Sequence, residues 1–283
     1  MSSLRARQVH LDFHTSEHIP DVGARFSKKQ WQQALRLGCV NSINIFAKCH
    51  HGWSYYPTQV GHTHPTLRRD LLGEQIAACH EMDVRAPIYF TVGWSANDAE
   101  THPEWCVRHA DGSIAGVNID PKATPDTDRP TCSWKFLCPS GGYLELIVAQ
   151  TTEICRRYAV DGFWYDICSG PVCYCQSCRA GMAAEGVDAG DAAAAAAYNV
   201  RKWRRFYTAC RQVVEAHHPG AVLYFNGTTH LHILDRLDLD NTQQDLEDLP
   251  TTWGGYNRFP LRARFYAREP RPYVAMSGKF HTS

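Results

Sequence analysis

Apolar and polar positions along the chain alternate between two periods. Gln8 to Phe13 switches polar and apolar side chains residue by residue, as a short strand does, and Ser27 then opens a helical pattern through Trp31, Ala34 and Leu35 to Gly38. Residues 39–48 (CVNSINIFAK) read as a second strand. Residues 65–82 read as a helix with Leu67, Leu71, Leu72, Ile76 and Ala77 on one face, and 84–92 (VRAPIYFTV) as a third strand. Residues 93–138 lose all period and fill with Pro, Asp, Thr and Trp, far beyond an ordinary connection, which marks a functional loop or lid. A helix over 141–158 leads into the apolar strand Ala159–Ile167. Another helix runs from Asp191 to His217, starting in an alanine tract that needs no special role. A fifth strand is expected at 221–226, a weak sixth near 239–245, a short helix at 261–267 and a seventh strand from Tyr273 to Met276.

Strand followed by helix, repeated about seven times, predicts a parallel sheet with helices outside, and the length favours a closed (β/α)8 barrel of TIM type over an open sheet. The sequence stops where an eighth strand is due, so one domain over 1–283 is expected, with its ring truncated before strand eight. In such a barrel catalytic groups sit at strand C-terminal ends. The fourth strand, VDGFWYDI, closes on Asp166. Glu247, with Asp245 and Asp248 as alternatives, follows the sixth strand. Glu247 is preferred because Trp253 and its neighbours offer an apolar wall that would raise its pKa.

Composition narrows the partners. Lysine plus arginine and aspartate plus glutamate number 29 each, so no field exists to hold nucleic acid or an anionic membrane. Homo-oligomerisation is left open. No apolar run approaches the roughly 20 residues of a membrane span and no leader is visible, which suggests the cytoplasm. Fifteen His, thirteen Tyr and eight Trp suit a surface that stacks on sugar rings and bonds hydroxyls. Cys39, Cys49, Cys79, Cys155 and Cys210 fall inside predicted elements and read as reduced thiols. Cys173, Cys175 and Cys178 are close enough in sequence to converge on one ion, with a fourth ligand to come from Cys168, Cys106, Cys132 or Cys138.

FAKCHHGWSYYPT (46–58) resembles the AKHHDGF segment after the second strand of α-L-fucosidases, and VDGFWYD (160–166) resembles the fourth-strand segment of that family, which ends in its nucleophilic Asp. Here Gly52 follows His51 directly, without the family's Asp. The order RQVHLDFHTSEHIPDVG, FAKCHHGWSYYPTQVG, DGFWYDI with CYCQSC, and MSGKFHTS is similar to uncharacterised hypothetical glycosyl hydrolase barrels related to fucosidases and to clan-A β-galactosidases. The resemblance implies a glycosidase of carbohydrate metabolism, hydrolysing an unidentified glycosidic bond with retention through two carboxyls about 5 to 5.5 Å apart. Asp166 is then the nucleophile, and Glu247 the acid and base. Sugar contacts are expected from His10, Asp12, His50, His51, Trp53, Trp94, Asn226, Trp253 and Lys279. The related β-galactosidases imply structural zinc at Cys173, Cys175 and Cys178. No cofactor is required, since no glycine-rich dinucleotide loop opens a helix. Two other readings stand beside this one: a carbohydrate-binding barrel without turnover, and a metal-dependent hydrolase using His10, Asp12, His50 or His51 as ligands.

Overall fold

The structure is a computed structural model, and it describes residues 4–117, 134–229, 235–249 and 255–278. The elements, in chain order, are β1 (Gln8–His10), α1 (Lys28–Leu37), β2 (Ser42–Lys48), α2 (Leu71–His80), β3 (Ile88–Thr91), α3 (Ala96–Thr101), β4 (Gly116–Val117), β5 (Trp134–Lys135), α4 (Gly141–Arg157), β6 (Gly162–Asp166), α5 (Gln176–Ala184), α6 (Ala192–His217), β7 (Val222–Phe225), β8 (Gln244–Asp248), α7 (Gly255–Tyr266) and β9 (Tyr273–Ser277).

Five strands form one parallel sheet in the order β1-β2-β3-β6-β7, with Ile88 opposite Phe163 and Thr91 opposite Asp166 across β3 and β6. β8 and β9 pair in parallel with each other. β8 lies beside β7, where the Thr242 amide donates to the Leu223 carbonyl (2.8 Å) and the Tyr224 hydroxyl to the Asp245 carbonyl. A cleft lined by Leu4, Gln8 and His10 on one side and by Tyr273, Val274 and Ser277 on the other separates β1 from β9. What the described residues form is thus an α/β fold whose parallel sheet curls into part of a barrel, coarser than the closed eightfold ring expected.

Alternation along each strand builds two cores. Outward residues such as Ile45, Ile88, Phe163, Tyr165 and Phe225 pack under the helices. Inward ones fill the concave side: Phe46 stacks on Tyr89 (3.8 Å), Tyr89 on Trp164 (5.5 Å), and Trp164 leans on Tyr224 (5.4 Å). Each such buried aromatic is worth about 2 to 3 kcal/mol, and together they make the floor beneath the strand tips. The pairing of β2 with β3 slips between Phe46 and Lys48. This irregularity turns Lys48 from the concave side toward the helices, as a bulge re-aims a side chain.

The structure shifts several predicted boundaries. α2 starts at Leu71 rather than Pro65, because the Asp70 carboxylate caps it by accepting from the Gly73 amide (3.0 Å). The long aperiodic stretch holds α3 and the β4–β5 hairpin. α5, too short to show a period, carries Cys178. The sixth strand lies at Gln244–Asp248, not near 239–245, where a single 3-10 turn stands instead (Leu237–Asp240). Asp245, Glu247 and Asp248 therefore belong to a strand rather than to the loop after one.

Candidate active site

Asp166 ends β6, in the fourth position of the five-stranded sheet, and is buried. The Tyr89 hydroxyl donates to its Oδ2 (2.6 Å), and the Ile167 amide and the Asn226 Nδ2 both donate to its Oδ1 (2.8 Å each). The Ile167 bond requires a sharp turn. Ile167 takes a φ of 55°, a left-handed conformation that costs a β-branched residue about 1 to 3 kcal/mol. Gly93 makes room for it, since a Cβ there would meet the Ile167 carbonyl oxygen at 2.4 Å. Strain at the strand tip thus holds one donor on the carboxylate.

Asn226 follows β7, and its amide is oriented by its own carbonyl, which accepts from the Gly227 amide (2.9 Å). That leaves Nδ2 to bond Asp166 and also Glu247 Oε2 (2.9 Å). Two carboxylate oxygens bonded to one nitrogen cannot be more than about 6 Å apart, a bound that contains the retaining spacing of about 5 to 5.5 Å. Burial raises the Glu247 pKa, the Asp166 charge adds to the rise, and the Asn226 donor opposes it.

The two alternative acids on β8 separate by alternation. Asp245 faces the same way as Glu247 but one layer deeper, bonded by Gln243 Nε2 (2.7 Å) and Trp164 Nε1 (2.9 Å), and burial pushes its pKa up to about 6. Asp248 faces outward and pairs with buried Arg262 (2.9 Å), which also donates to the Glu247 carbonyl (2.7 Å). Neither Asp245 nor Asp248 bonds the amide that joins Asp166 to Glu247.

Histidines line the opposite flank. His50 Nε2 lies 3.5 Å from Asp166 Oδ2. The Thr91 hydroxyl gives its one proton to the Trp94 carbonyl, so His50 Nδ1, 2.8 Å away, must donate to Thr91, and a neutral ring then turns its bare Nε2 toward Asp166. Burial lowers the His50 pKa to about 4, against the pull of Asp166. His14 stacks on His50 (4.1 Å, 12°). Burial disfavours charge on His14 too, yet bonds to Asp12 and Cys49 outweigh it and lift its pKa to about 9. Asp12, mostly exposed, stands between His10 (3.4 Å) and His14 (3.7 Å), and these two rings hold its pKa far down. His10 also bonds Asn44 (2.8 Å) and leans on Trp164.

His51 contacts Trp134 (5.1 Å), and Trp94 stands edge-on to His50 (5.1 Å) and parallel to Trp134 (5.8 Å, 17°). Trp53 sits apart, bonded to Glu17 (3.3 Å) and packed near His62 and His64. Behind this flank, Lys48 and Asp98 form an ion pair at 2.6 Å with both side chains at most 2% exposed, and Ser95 donates to the same Asp98 oxygen. The pair fixes α3, whose first amides, Ala96 and Asn97, donate to the His50 and His51 carbonyls (2.9 and 3.0 Å). Trp253, Lys279 and Cys132 lie outside the described residues.

The sulfurs of Cys138, Cys173, Cys175 and Cys178 converge within 4.8 Å of one another, all buried. Of the described candidates for the fourth position, Cys138 is the one brought to the other three, while Cys106 and Cys168 are buried elsewhere. The Cys175 amide donates to the Cys173 sulfur (3.4 Å), and the Ser140 hydroxyl lies 3.1 Å from the Cys138 sulfur. The donor set can hold a metal ion of the tetrahedral thiolate type. No disulfide occurs among the described cysteines, and apart from Cys39 they are buried. Among the described residues no other group of His, Cys or carboxylates converges so closely; His10, Asp12, His50 and His51 do not.

Sequence reasoning missed Tyr89, Asn44 and Trp134. Tyr89 was within reach, because alternation puts it on the concave side of β3 beside the β6 tip. Trp134 was not, because a hairpin inside an aperiodic stretch delivers it.

The family described as hypothetical glycosyl hydrolase 6 matches residues 27–167. Among proteins with curated descriptions, none matches the chain. Of solved structures, α-L-fucosidase isoenzyme 2 from Paenibacillus thiaminolyticus is 40% identical with a TM-score of 0.88, over 99% of this chain. The chain spans 41% of that relative's length. A β-galactosidase from the psychrophilic Marinomonas ef1, 11% identical with a TM-score of 0.52 over 80% of this chain and 40% of its own, shares the fold. No described helix is long and apolar enough to cross a membrane. A carboxylate pair on one amide and an imidazole- and indole-rich flank thus stand in a chain that is similar to the family described as hypothetical glycosyl hydrolase 6 over residues 27–167, and to an α-L-fucosidase over nearly its whole length.

Proposed function

We propose that this chain forms the catalytic part of a (β/α)8 hydrolase that removes α-L-fucosyl groups with retention of configuration. The observation that supports this reading is the Asn226 amide, which bonds both Asp166 and Glu247 and so keeps their oxygens within about 6 Å, a bound compatible with double displacement. In the first step Asp166 attacks the anomeric carbon while Glu247 gives its proton to the departing oxygen. In the second, Glu247, now ionised, takes a proton from water as water displaces Asp166. Tyr89, the Ile167 amide and Asn226 keep Asp166 oriented for attack and receive its charge back when the bond to sugar breaks. Burial raises the Glu247 pKa and so favours its protonated form, as the acid role requires. The sugar specificity comes from the 40% identical relative, which is named an α-L-fucosidase. His10, Asp12, His50, His51, Trp94 and Asn226 are the sugar contacts of this reading, with Trp53 at the rim; Trp253 and Lys279 belong to it from the sequence alone.

The four cysteines fit structural zinc, which would tie the loop after β3 to the loop after β6 and take no part in the reaction. Metal analysis of the purified protein is expected to give one zinc per chain, lost in Cys175→Ser; native protein with every thiol free and no metal overturns this assignment.

The test of the activity is a panel of aryl α- and β-glycosides, with the product anomer followed by proton NMR. Release of α-L-fucose as the first product is expected. First release of the β anomer, or turnover unaffected by Asp166→Asn, overturns the mechanism.

A further inference from the structure

Cys138 and Trp134 stand four residues apart on one extended segment. At one end, Trp134 lies parallel to Trp94 and 5.1 Å from His51. In the middle, Phe136 bridges Trp94, the Leu137 amide donates to the Gly93 carbonyl (2.8 Å), and the Val107 amide donates to the Phe136 carbonyl (2.7 Å). At the other end, Cys138 meets Cys173, Cys175 and Cys178, which come from the stretch leaving Asp166. Phe136 packs against the same small core as the four cysteines. Backbone bonds on both sides make this segment a stiff connection. Its orientation is set where it is clamped, because the residues on both flanks, 93–94 and 106–107, are loop rather than regular strand.

We propose that Trp134 is a sugar-contacting wall that sets substrate affinity, and that the four-cysteine cluster is its positioning device. The inference rests on the glycosidase reading above and adds to it a residue and a coupling. Trp134 lies 5.7 Å from His50, whose Nε2 is 3.5 Å from Asp166 on the β2–β3 side of β6, whereas Glu247 reaches Asp166 from the β7–β8 side; the proposed wall is therefore on the side of the sugar being transferred. An indole beside two imidazoles presents a flat apolar face with polar groups at its edge, which suits the C–H face of a pyranose with its hydroxyls turned outward. The cluster acts only through geometry: Cys173, Cys175 and Cys178 touch neither carboxylate, and a change among them reaches the site along residues 134–138.

Four proteins test this: the intact chain, Trp134→Ala, Cys175→Ala and the double variant, assayed with 4-nitrophenyl α-L-fucoside. Trp134→Ala is expected to raise KM about tenfold with kcat within about twofold, and Trp134→Phe to restore most of the affinity. Cys175→Ala should raise KM in the same direction, and the double variant should be no worse than Trp134→Ala alone. Additive effects of the two changes, or a fall in kcat in place of the rise in KM, overturn the coupling. Unchanged KM in Trp134→Ala overturns the wall. A second readout needs no turnover: the acrylamide quenching assignable to Trp134, taken as wild type minus Trp134→Phe, should increase when Cys175 is replaced, or in the wild type when a chelator or thiol reagent opens the cluster. Equal quenching in both states refutes the positioning role even if the sugar proves to be other than fucose.

Discussion

The tips of β6 and β8 carry the same functional group in opposed settings. Asp166 accepts from a tyrosine hydroxyl, a backbone amide and a side-chain amide, so its orientation is over-determined and both oxygens are engaged. Glu247 is given one of those donors, Asn226, and otherwise sits in a site whose burial raises its pKa. Two carboxyls within one hydrogen-bonding group of each other thus differ by environment, one held as an oriented acceptor and the other biased to keep its proton, a difference that suits the proposed nucleophile and acid. The shared amide makes them a pair, and the unequal remaining donors make them different.

Removing the oriented member should cost most. Asp166→Gly is expected to lower turnover of an aryl glycoside by about 10⁴-fold or more, with azide restoring part of the rate and forming a glycosyl azide of inverted configuration. Glu247→Gln should lower kcat/KM, which reports only the first displacement, by about 10²- to 10⁴-fold on glycosides with poor leaving groups and far less on activated aryl ones, because only the former need the proton. A loss independent of leaving group would remove Glu247 from the acid role. Asn226→Ala takes a donor from both carboxyls at once and should cost about 10²- to 10³-fold. The Asn226 donor holds the Glu247 pKa down, so its loss should move the alkaline limb of the pH–rate profile to higher pH.

Asp245 sharpens the comparison from below. Its pKa is near 6 when folded against about 3.9 unfolded. Between those values the folded chain holds the proton and the unfolded one has released it, so stability falls as pH rises from about 4 to 6, by up to about 3 kcal/mol. Asp245→Asn should flatten that decline in melting temperature while leaving turnover nearly intact. A strong catalytic loss would mean that the acid sits one layer deeper than Glu247.

Much of this pair was legible in the sequence. The apolar run Gly162–Tyr165 ending in Asp166 announces a buried strand with a charged tip, and Asn226 falls at the tip of the next one. Glu247 was singled out for a weaker reason. The segment before it, Leu237–Asp240, resembles a strand in composition but folds as a 3-10 turn, and the true strand includes the acids themselves. Only its register tells Glu247 and Asp245, facing in, from Asp248, facing Arg262. Lys48 shows the opposite failure. Alternation aims it at the site, while the slip in pairing after Phe46 sends it behind, where it braces α3 and the His50–His51 carbonyls. Trp134 and the choice of Cys138 depend on contacts across an aperiodic stretch, which no local pattern encodes.

Mass spectrometry after incubation with 2-deoxy-2-fluoro-α-L-fucosyl fluoride tests the central pairing most directly. Fluorine beside the anomeric carbon slows both displacements, and a fluoride leaving group needs little help from Glu247, so a glycosyl-enzyme should accumulate. One added sugar per chain is expected, mapped to the peptide containing Asp166 and absent from Asp166→Asn. An adduct on another carboxylate, or hydrolysis of the reagent with inversion and no adduct, would contradict it.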